Sequence, residues 1–466
     1  MLIWLGSQRG VLWLLYFNFI LISSVHAEIA FLTDTEGSWV SLQSFVELNS
    51  SLKFDVKGDL EFSNSNDVFV FNGDATDRGP NSFKILAALI KFKEKYPQRV
   101  RIVLGNRDIN KLRLTSELSH LGASTSLVFK GPPESRPTSF PNYAEKLKWI
   151  FKETMGAKDT FEFAREEIAL GRGIEKEKVT DDDVVEKYRL ELAKDGLIYK
   201  YLTMGELALR IGNSAFGHGA FQEKNTGVVP GESVETADKT SWYPSVDEWF
   251  SNLNSWARRQ LDQWKKDPTN PLAGAALVAY QEPVPGTTAN DKSVVYGRYS
   301  DASGNSTLPP ALPVVAYFLR SGINKVFVGH TPNGDAPTVL NYPDVFTVVI
   351  ADTSFRGDRR STSILISDEK IRFKGEVGGQ KFDFYDTDER LVGFLGQRNS
   401  EGFIVKGITQ GNELILFKVL PGFKAESKFV PLSQVKAEDF SPPTNSASCE
   451  DWLKGIRPHL NEWRVH

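Results

Sequence analysis

The chain has 466 residues, of which 41% are hydrophobic and 24% charged, and its formal net charge is -4. That composition excludes a mostly disordered chain, and the lack of net positive charge removes the electrostatic footprint of a nucleic-acid binder, so no nucleic-acid partner is expected. The length exceeds one ordinary compact core and predicts a large domain with an appendage.

The first ten residues carry one basic side chain, Arg9, and Val11 to Val25 form a mostly apolar run. Val25-His26-Ala27 then offers small residues where a signal peptidase reads. This layout predicts a signal peptide over residues 1–27, cleaved before Glu28, and a secreted or periplasmic protein; an uncleaved membrane anchor is the alternative. No later segment is long and apolar enough to span a membrane. Cys449 is the only cysteine, so no internal disulfide is expected.

Six short apolar runs follow, each ending in a polar cluster: EIAFLTD (28–34), DVFVFNGD (67–74), VRIVLGN (100–106), SAFGHG (214–219), KVFVGHT (325–331) and FTVVIADT (346–353). Runs of this length and apolarity predict strands buried on both faces. Between the early ones, Trp39, Val40, Leu42, Phe45, Val46 and Leu48 can form one helical face, and Pro80 opens the helical pattern SFKILAALIKFKEKY. Strands alternating with helices predict an α/β class. Residues 141–195 read as a helix, a turn at Gly171-Arg172-Gly173 and a second helix, a helical insert that is either a solvated surface hairpin or a docking element for large substrates or partners. In 245–266, Trp249, Leu253, Trp256, Leu261 and Trp264 predict an amphipathic helix. Beyond about residue 365 the pattern changes to short alternating strands, KIRFKGEV, EGFIVKGI, ELILFKVL and SKFVPL. The first is a candidate to complete the core sheet. The others predict a small β-rich extension, closed by a helix near the C-terminus, so the domains are expected at 28–370 and 371–466.

The polar ends of the apolar runs carry the chemistry. Asp34 and Glu36 follow the first; Asp74, Asp77 and Arg78 the second; Asn106, Arg107 and Asp108 the third; His218 the fourth; His330 the fifth. In open α/β sheets the C-terminal edge of the strands is where ligands bind. Singly, each motif reads as a turn, a helix cap or a hydrogen-bonded histidine. Together they supply metal-capable side chains behind five strands, and two of the five histidines after residue 27 fall among them. A pair of cations needs a shared carboxylate and open positions for water and phosphate. Asp74 is the candidate bridge, with Asp34 and Glu36 completing one ion's shell and Asn106, His218 and His330 the other's. A water between the two cations would be acidified to the hydroxide that attacks phosphorus.

The series resembles the calcineurin-like metallophosphoesterases, and within them the phosphoprotein phosphatase branch. GDATDRGPNSFKILAALIKFKEKYPQRVRIVLGNRD is the stretch most like that branch's GDxxDRG and GNH[DE] motifs. The resemblance implies a four-layer α/β/β/α sandwich over about residues 28–370. It makes Asp34, Asp74, Asn106, His218 and His330 metal ligands, Arg78 a phosphate-binding arginine, and Asp77 and Asp108 supporting carboxylates. Arg298 is matched to a second phosphate-clamping arginine, and Phe355 to an aromatic over the site. Two positions depart from the branch. Glu36 stands where its first motif has histidine, which makes that ion's protein shell all oxygen and favours Mn²⁺ or Mg²⁺ over zinc, with iron also compatible. Arg107 replaces the histidine taken to be the general acid. The expected activity is metal-dependent hydrolysis of phosphomonoesters, with two divalent ions, Mn²⁺ ahead of the others, and a phosphorylated protein or small phosphoester as substrate. Aryl esters are favoured. Nucleotide or dinucleotide polyphosphate hydrolysis and a catalytically weak phosphate-binding docking protein are the alternatives. His120 is expected on a surface turn.

Overall fold

In the strand Ile29–Leu32 all four side chains are buried, and they divide by parity between two cores. Ile29 and Phe31 pack in one hydrophobic cluster, Ala30 and Leu32 in the other. Successive side chains of a strand point to opposite faces, so a strand apolar at every position needs a covering layer on each side. The computed structural model supplies both. It describes residues 27–126, 133–284, 287–300, 307–342, 345–353, 360–420 and 424–441. Residues 1–26 of the expected signal segment, Phe355, Cys449 and the expected C-terminal helix lie outside the described residues.

One sheet has six strands in the order Gln380–Tyr385, Ile371–Val377, Ser363–Ile366, Ile29–Leu32, Val68–Phe71, Val100–Ile102. Its last three are parallel, and Leu32 pairs in register with Phe71. The second sheet has the order Thr338–Tyr342, Phe346–Ile350, Lys325–Val328, Ser214–Gly217, Ala208–Ile211, with the middle three parallel. The sheets meet face to face through Phe31 of the first and Phe216 and Phe327 of the second, with ring centroids 5.1–5.6 Å apart. All three rings are fully buried. Helices cover both outer faces. Trp39–Leu48 and Ser82–Lys95 lay Leu42, Phe45, Leu86 and Leu89 against Ala30, Leu32, Phe69 and Phe71. On the other outer face Val246–Lys266 packs against Ala208–Ile211, and Leu312–Arg320 sets Phe318 on Phe346. The result is the four-layer α/β/β/α sandwich.

Local chemistry sets the helix ends. Ser38 accepts a hydrogen bond from Ser41 N–H, and Ser245 one from Glu248 N–H, as N-caps do. Trp249, Trp256 and Trp264 are all buried, and each indole N–H reaches an acceptor: Val228 O, Gly231 O and Thr115 Oγ1. The helix Ser82–Lys95 has no side-chain cap from Asn81. Its first-turn N–H groups of Phe83 and Lys84 donate instead to Glu167, at 3.0 and 2.7 Å.

Glu167 belongs to the insert, which differs from a two-helix surface hairpin. Tyr143–Trp149 continues through one π turn, Ile150–Thr154, before Thr160–Arg172 and Asp181–Leu192. Leu147, Ile150, Phe151, Val184 and Tyr188 are buried in the same core as the first sheet's helices. The turn falls at Gly173, whose φ of 64° caps the helix in the left-handed conformation. Ile371–Val377 joins the first sheet, and that sheet runs on to Tyr385, past residue 370. A separate five-stranded antiparallel sheet, Lys424–Pro431, Glu413–Leu420, Ile404–Ile408, Arg398–Asn399 and Phe440–Ser441, forms the β-rich extension. Among the described residues no helix is long and apolar enough to cross a membrane.

Candidate active site

The parallel strands of both sheets end on one edge, and the residues just past those ends converge. Five of them, Asp34, Glu36, Asp74, Asp77 and His330, have φ between 47° and 100°. Non-glycine residues rarely adopt this region, and such conformations persist only where surrounding structure fixes them. Two glycines make the crowding possible. A Cβ on Gly73 would lie 2.5 Å from Gly105 N and 2.8 Å from His218 Nδ1, and one on Gly105 would collide with the Asp74 carboxylate.

Asp74, His218 and His330 each place a donor atom within 4.8 Å of the others, and all three are buried. His218 donates from Nδ1 to Asn72 O at 2.7 Å, which fixes the tautomer and turns Nε2 to Asn106 Oδ1 and Asp74 Oδ1, both 3.3 Å away. His330 Nδ1 lies 2.8 Å from Asn106 Oδ1, and its Nε2 is buried without a hydrogen-bond partner among the described residues. One carboxylate, one amide oxygen and two imidazoles are a donor set suited to a divalent transition cation. The ionised groups here are paired with one another, and His218 would give up its Nε2 proton to ligate a cation. Burial alone would raise Asp74, but the His218 imidazolium, then Arg107, outweigh it and hold the carboxyl down to about 2. Burial depresses His218, yet Asp74 and Asp34 lift it to about 10. Burial, with the charge of Arg298, keeps His330 well below its usual range and neutral.

Asp34 and Glu36 are built differently. Asp34 accepts from the Thr33 hydroxyl at 2.5 Å and from His330 N–H at 3.2 Å. Burial and the neighbouring Asp352 push its pKa well up. Glu36 faces two guanidiniums: Arg107 Nε at 3.0 Å and Arg78 Nη1 at 3.1 Å. Arg107 is also 3.4 Å from Asp74 Oδ2, and its Nη1 donates to Met155 O. Buried among these carboxylates, it stays a cation.

Asp108 sits behind the site. Its oxygens accept from Gly105, Asp74 and Ala75 N–H at 2.8, 2.9 and 3.1 Å. Burial and Asp74 raise it to about 6. It therefore shapes the loops that carry Asp74 and Asn106. Asp77 is paired with Lys111 at 2.6 Å below them. Arg298 enters from the far side, with Nε on Thr288 O at 3.1 Å and Nη1 3.5 Å from His330 O. His120 is exposed on a turn, accepting from Gly122 N–H. A cavity of about 410 Å³ opens over the cluster. Asp34, Glu36, Asp74, Arg78, Asn106, Arg107, Arg298 and His330 line it; Asp77, Asp108 and His218 do not.

The family model of the calcineurin-like phosphoesterases matches residues 27–334. The chain belongs to the calcineurin-like phosphoesterases. It is accordingly a metal-dependent phosphoester hydrolase. No curated protein sequence matches it. Among solved structures, a cold-active protein-tyrosine phosphatase of a psychrophilic Shewanella species is similar at 12% identity and a TM-score of 0.42, over 77% of this chain and 80% of that one. A serine/threonine protein phosphatase of Saccharomyces cerevisiae is similar at 11% identity and a TM-score of 0.34, over 74% and 73%. A metallophosphoesterase of Sphaerobacter thermophilus follows at 10% identity and a TM-score of 0.28, over 74% and 84%.

In this calcineurin-like phosphoesterase several cavity residues escaped the sequence reading. Asp352 ends the run FTVVIADT with the same strand-then-carboxylate syntax as Asp34, so its signal was present. Tyr296, whose ring lies 4.4 Å from that of His330, carried no local signal. Nor did Met155, brought to the wall by the insert.

Proposed function

We propose that the chain hydrolyses phosphate monoesters on proteins, aryl esters ahead of alkyl esters. The observation that carries this reading is the meeting, over one cavity, of the Asp74–Asn106–His218–His330 cluster with Arg78, Arg107 and Arg298. Asp74, Asn106, His218 and His330 would hold a divalent cation, which would supply positive charge against phosphate oxygens and make water more acidic. The guanidiniums supply fixed charge where a phosphoryl group gains charge in the transition state. Arg78, on the cavity wall, has 39% of its side chain exposed, and its fork suits two phosphate oxygens at once.

Hydrolysis forms a bond from water oxygen to phosphorus and breaks the bond to the ester oxygen, which leaves with a proton or as an anion. Among the described lining residues the only imidazole is His330, which is engaged with Asn106. Arginine cannot supply the proton. Esters whose alcohol is itself acidic, such as phosphotyrosine, therefore suit this site. The rest of the wall bears on substrate class. Arg78, Arg107 and Arg298 are the only cations among the described lining residues, and Met155, Pro283, Thr287, Thr288 and Tyr296 add neutral surface. Such a wall matches an aromatic side chain better than a second phosphate group.

The test is hydrolysis of an aryl phosphate, a phosphopeptide panel and a nucleotide panel, with and without added Mn²⁺. We expect Mn²⁺-dependent turnover of the aryl phosphate and phosphotyrosine peptides, lost with its metal in Asp74→Asn. Preference for nucleotides would reject the substrate class, and a fully active Asp74→Asn would reject the site. Export, read from residues 1–27, is part of the same proposal. N-terminal sequencing of the mature protein should begin at or near Glu28, and recovery of the full-length chain from membranes would reject cleavage.

A further inference from the structure

Glu36 and Arg107, the two positions that depart from the motifs this sequence resembles, touch one another. Arg107 Nε lies 3.0 Å from Glu36 Oε1 and 3.4 Å from Asp74 Oδ2, between the two carboxylates expected to share a second ion. The guanidinium is fixed from several sides. Its own backbone N–H donates to Asp74 Oδ1 at 2.9 Å, Nη1 reaches Met155 O at 3.4 Å, and Asp77 is 3.9 Å away. Glu36 is held on its other flank by Arg78. Side-chain exposure is 10% for Arg107 and 4% for both Glu36 and Asp74, so water does little to screen the arrangement. A cation bound to both Glu36 and Asp74 at ordinary oxygen-ligand distances, about 2.0–2.6 Å, would have to evict this group. Among the described residues, moreover, Asp74, His218 and His330 are the only set of three acidic, histidine or cysteine side chains whose donor atoms gather closely enough for an ion. Asp34, Glu36 and Asp74 do not form such a set.

We infer that this chain holds a single divalent cation, in the Asp74–Asn106–His218–His330 cluster, and that the Arg107 guanidinium, clamped between Glu36 and Asp74, takes the place and the positive charge of the second ion. The inference rests on the metal-dependent reading above. It explains why the two departures occur together. Histidine at position 36 would leave Arg107 without its nearest counter-ion, and histidine at position 107 would leave Glu36 and Asp74 open to a cation. Arginine remains charged under all working conditions and forms directional hydrogen bonds, so it can neutralise these carboxylates and still face a phosphate.

The test is metal stoichiometry of the full chain, stripped of metal and then equilibrated with Mn²⁺. It is read by elemental analysis, titration calorimetry and electron paramagnetic resonance. We expect one Mn²⁺ per chain, with the spectrum of an isolated ion. Two ions per chain with a spin-coupled spectrum would overturn the inference and leave the metal-dependent reading intact. No bound ion, or binding unaffected by Asp74→Asn, would overturn the metal-dependent reading itself. Arg107→Ala, confirmed folded by its circular dichroism, should vacate the position and raise the stoichiometry from one toward two. A folded Arg107→Ala that still binds one ion would show that the guanidinium does not stand in for a second. The wild-type measurement decides the ion count even if that variant does not fold.

Discussion

Replacing Glu167 should change stability in a way that depends on pH, because this carboxyl does two opposed things. It accepts hydrogen bonds from Phe83 and Lys84 N–H, the first turn of the helix that follows Arg78. It is also largely buried, and that burial, only partly offset by those two bonds and by Lys187 and Lys84, raises its pKa from 4.5 to about 6. Each pH unit of difference between folded and unfolded pKa corresponds to about 1.36 kcal/mol, so the shift is worth about 2 kcal/mol. The sign follows from a folded pKa above the unfolded one. The contribution is fully present below pH 4.5, falls as pH rises through 6, and is absent above it. Glu167→Gln does not titrate and keeps one acceptor oxygen. The stability of wild type minus that of Glu167→Gln, from urea unfolding at fixed pH values, should therefore drop by about 2 kcal/mol between pH 4.5 and 6.5 and then level off. Glu167→Ala removes both acceptors and should cost a further 0.5–2 kcal/mol or so at every pH, the usual range for losing a helix cap. A flat difference from pH 4 to 7 would refute the burial argument, and a Glu167→Ala as stable as Glu167→Gln would refute the capping role.

Two further outcomes concern the site. Wild type should cleave a phosphotyrosine peptide faster than the matching phosphoserine peptide, and Arg107→His should narrow the gap, since general acid catalysis typically contributes about 10²–10⁴-fold. Equal rates in wild type would point to another proton donor, for which Glu282, buried on the cavity wall with a raised pKa, is the first candidate. Lys406, fully buried in the C-terminal sheet, donates to Asn333 O and to Ala336 O just past His330. Lys406→Met should leave both carbonyls unpaired, lower stability by about 1–3 kcal/mol and weaken metal binding. Unchanged unfolding and unchanged metal titration would show that this sheet does not brace the His330 loop.

Much of the architecture was legible because strands buried on both faces must be apolar at every position. EIAFLTD, DVFVFNGD and KVFVGHT could be little else, and each ends in a residue of the cavity wall, Asp34, Asp74 or His330. The helix Val246–Lys266 was equally clear, since five large apolar side chains at helical spacing need a single covered face. The insert was less legible. Its charged residues suggested a solvated hairpin, while the decisive contacts, Phe151 and Tyr188 in the core and Glu167 on another helix, join positions far apart in sequence.

The order of residue types in the chain specifies which side chains stand behind each strand, among them carboxylates, an amide and imidazoles able to ligate a metal. Those depend on residue type and local periodicity, which the chain writes in order. Only the tertiary structure decided how the side chains divide. It joined His218 and His330 to Asp74 and Asn106, turned Asp108 onto three backbone N–H groups, and set Arg107 between Glu36 and Asp74. Glu36 and Arg107 lie 71 positions apart. Whether a buried carboxylate meets a guanidinium or a vacant metal position depends on distances of an ångström or two, which are fixed by how two sheets pack and which no local pattern records.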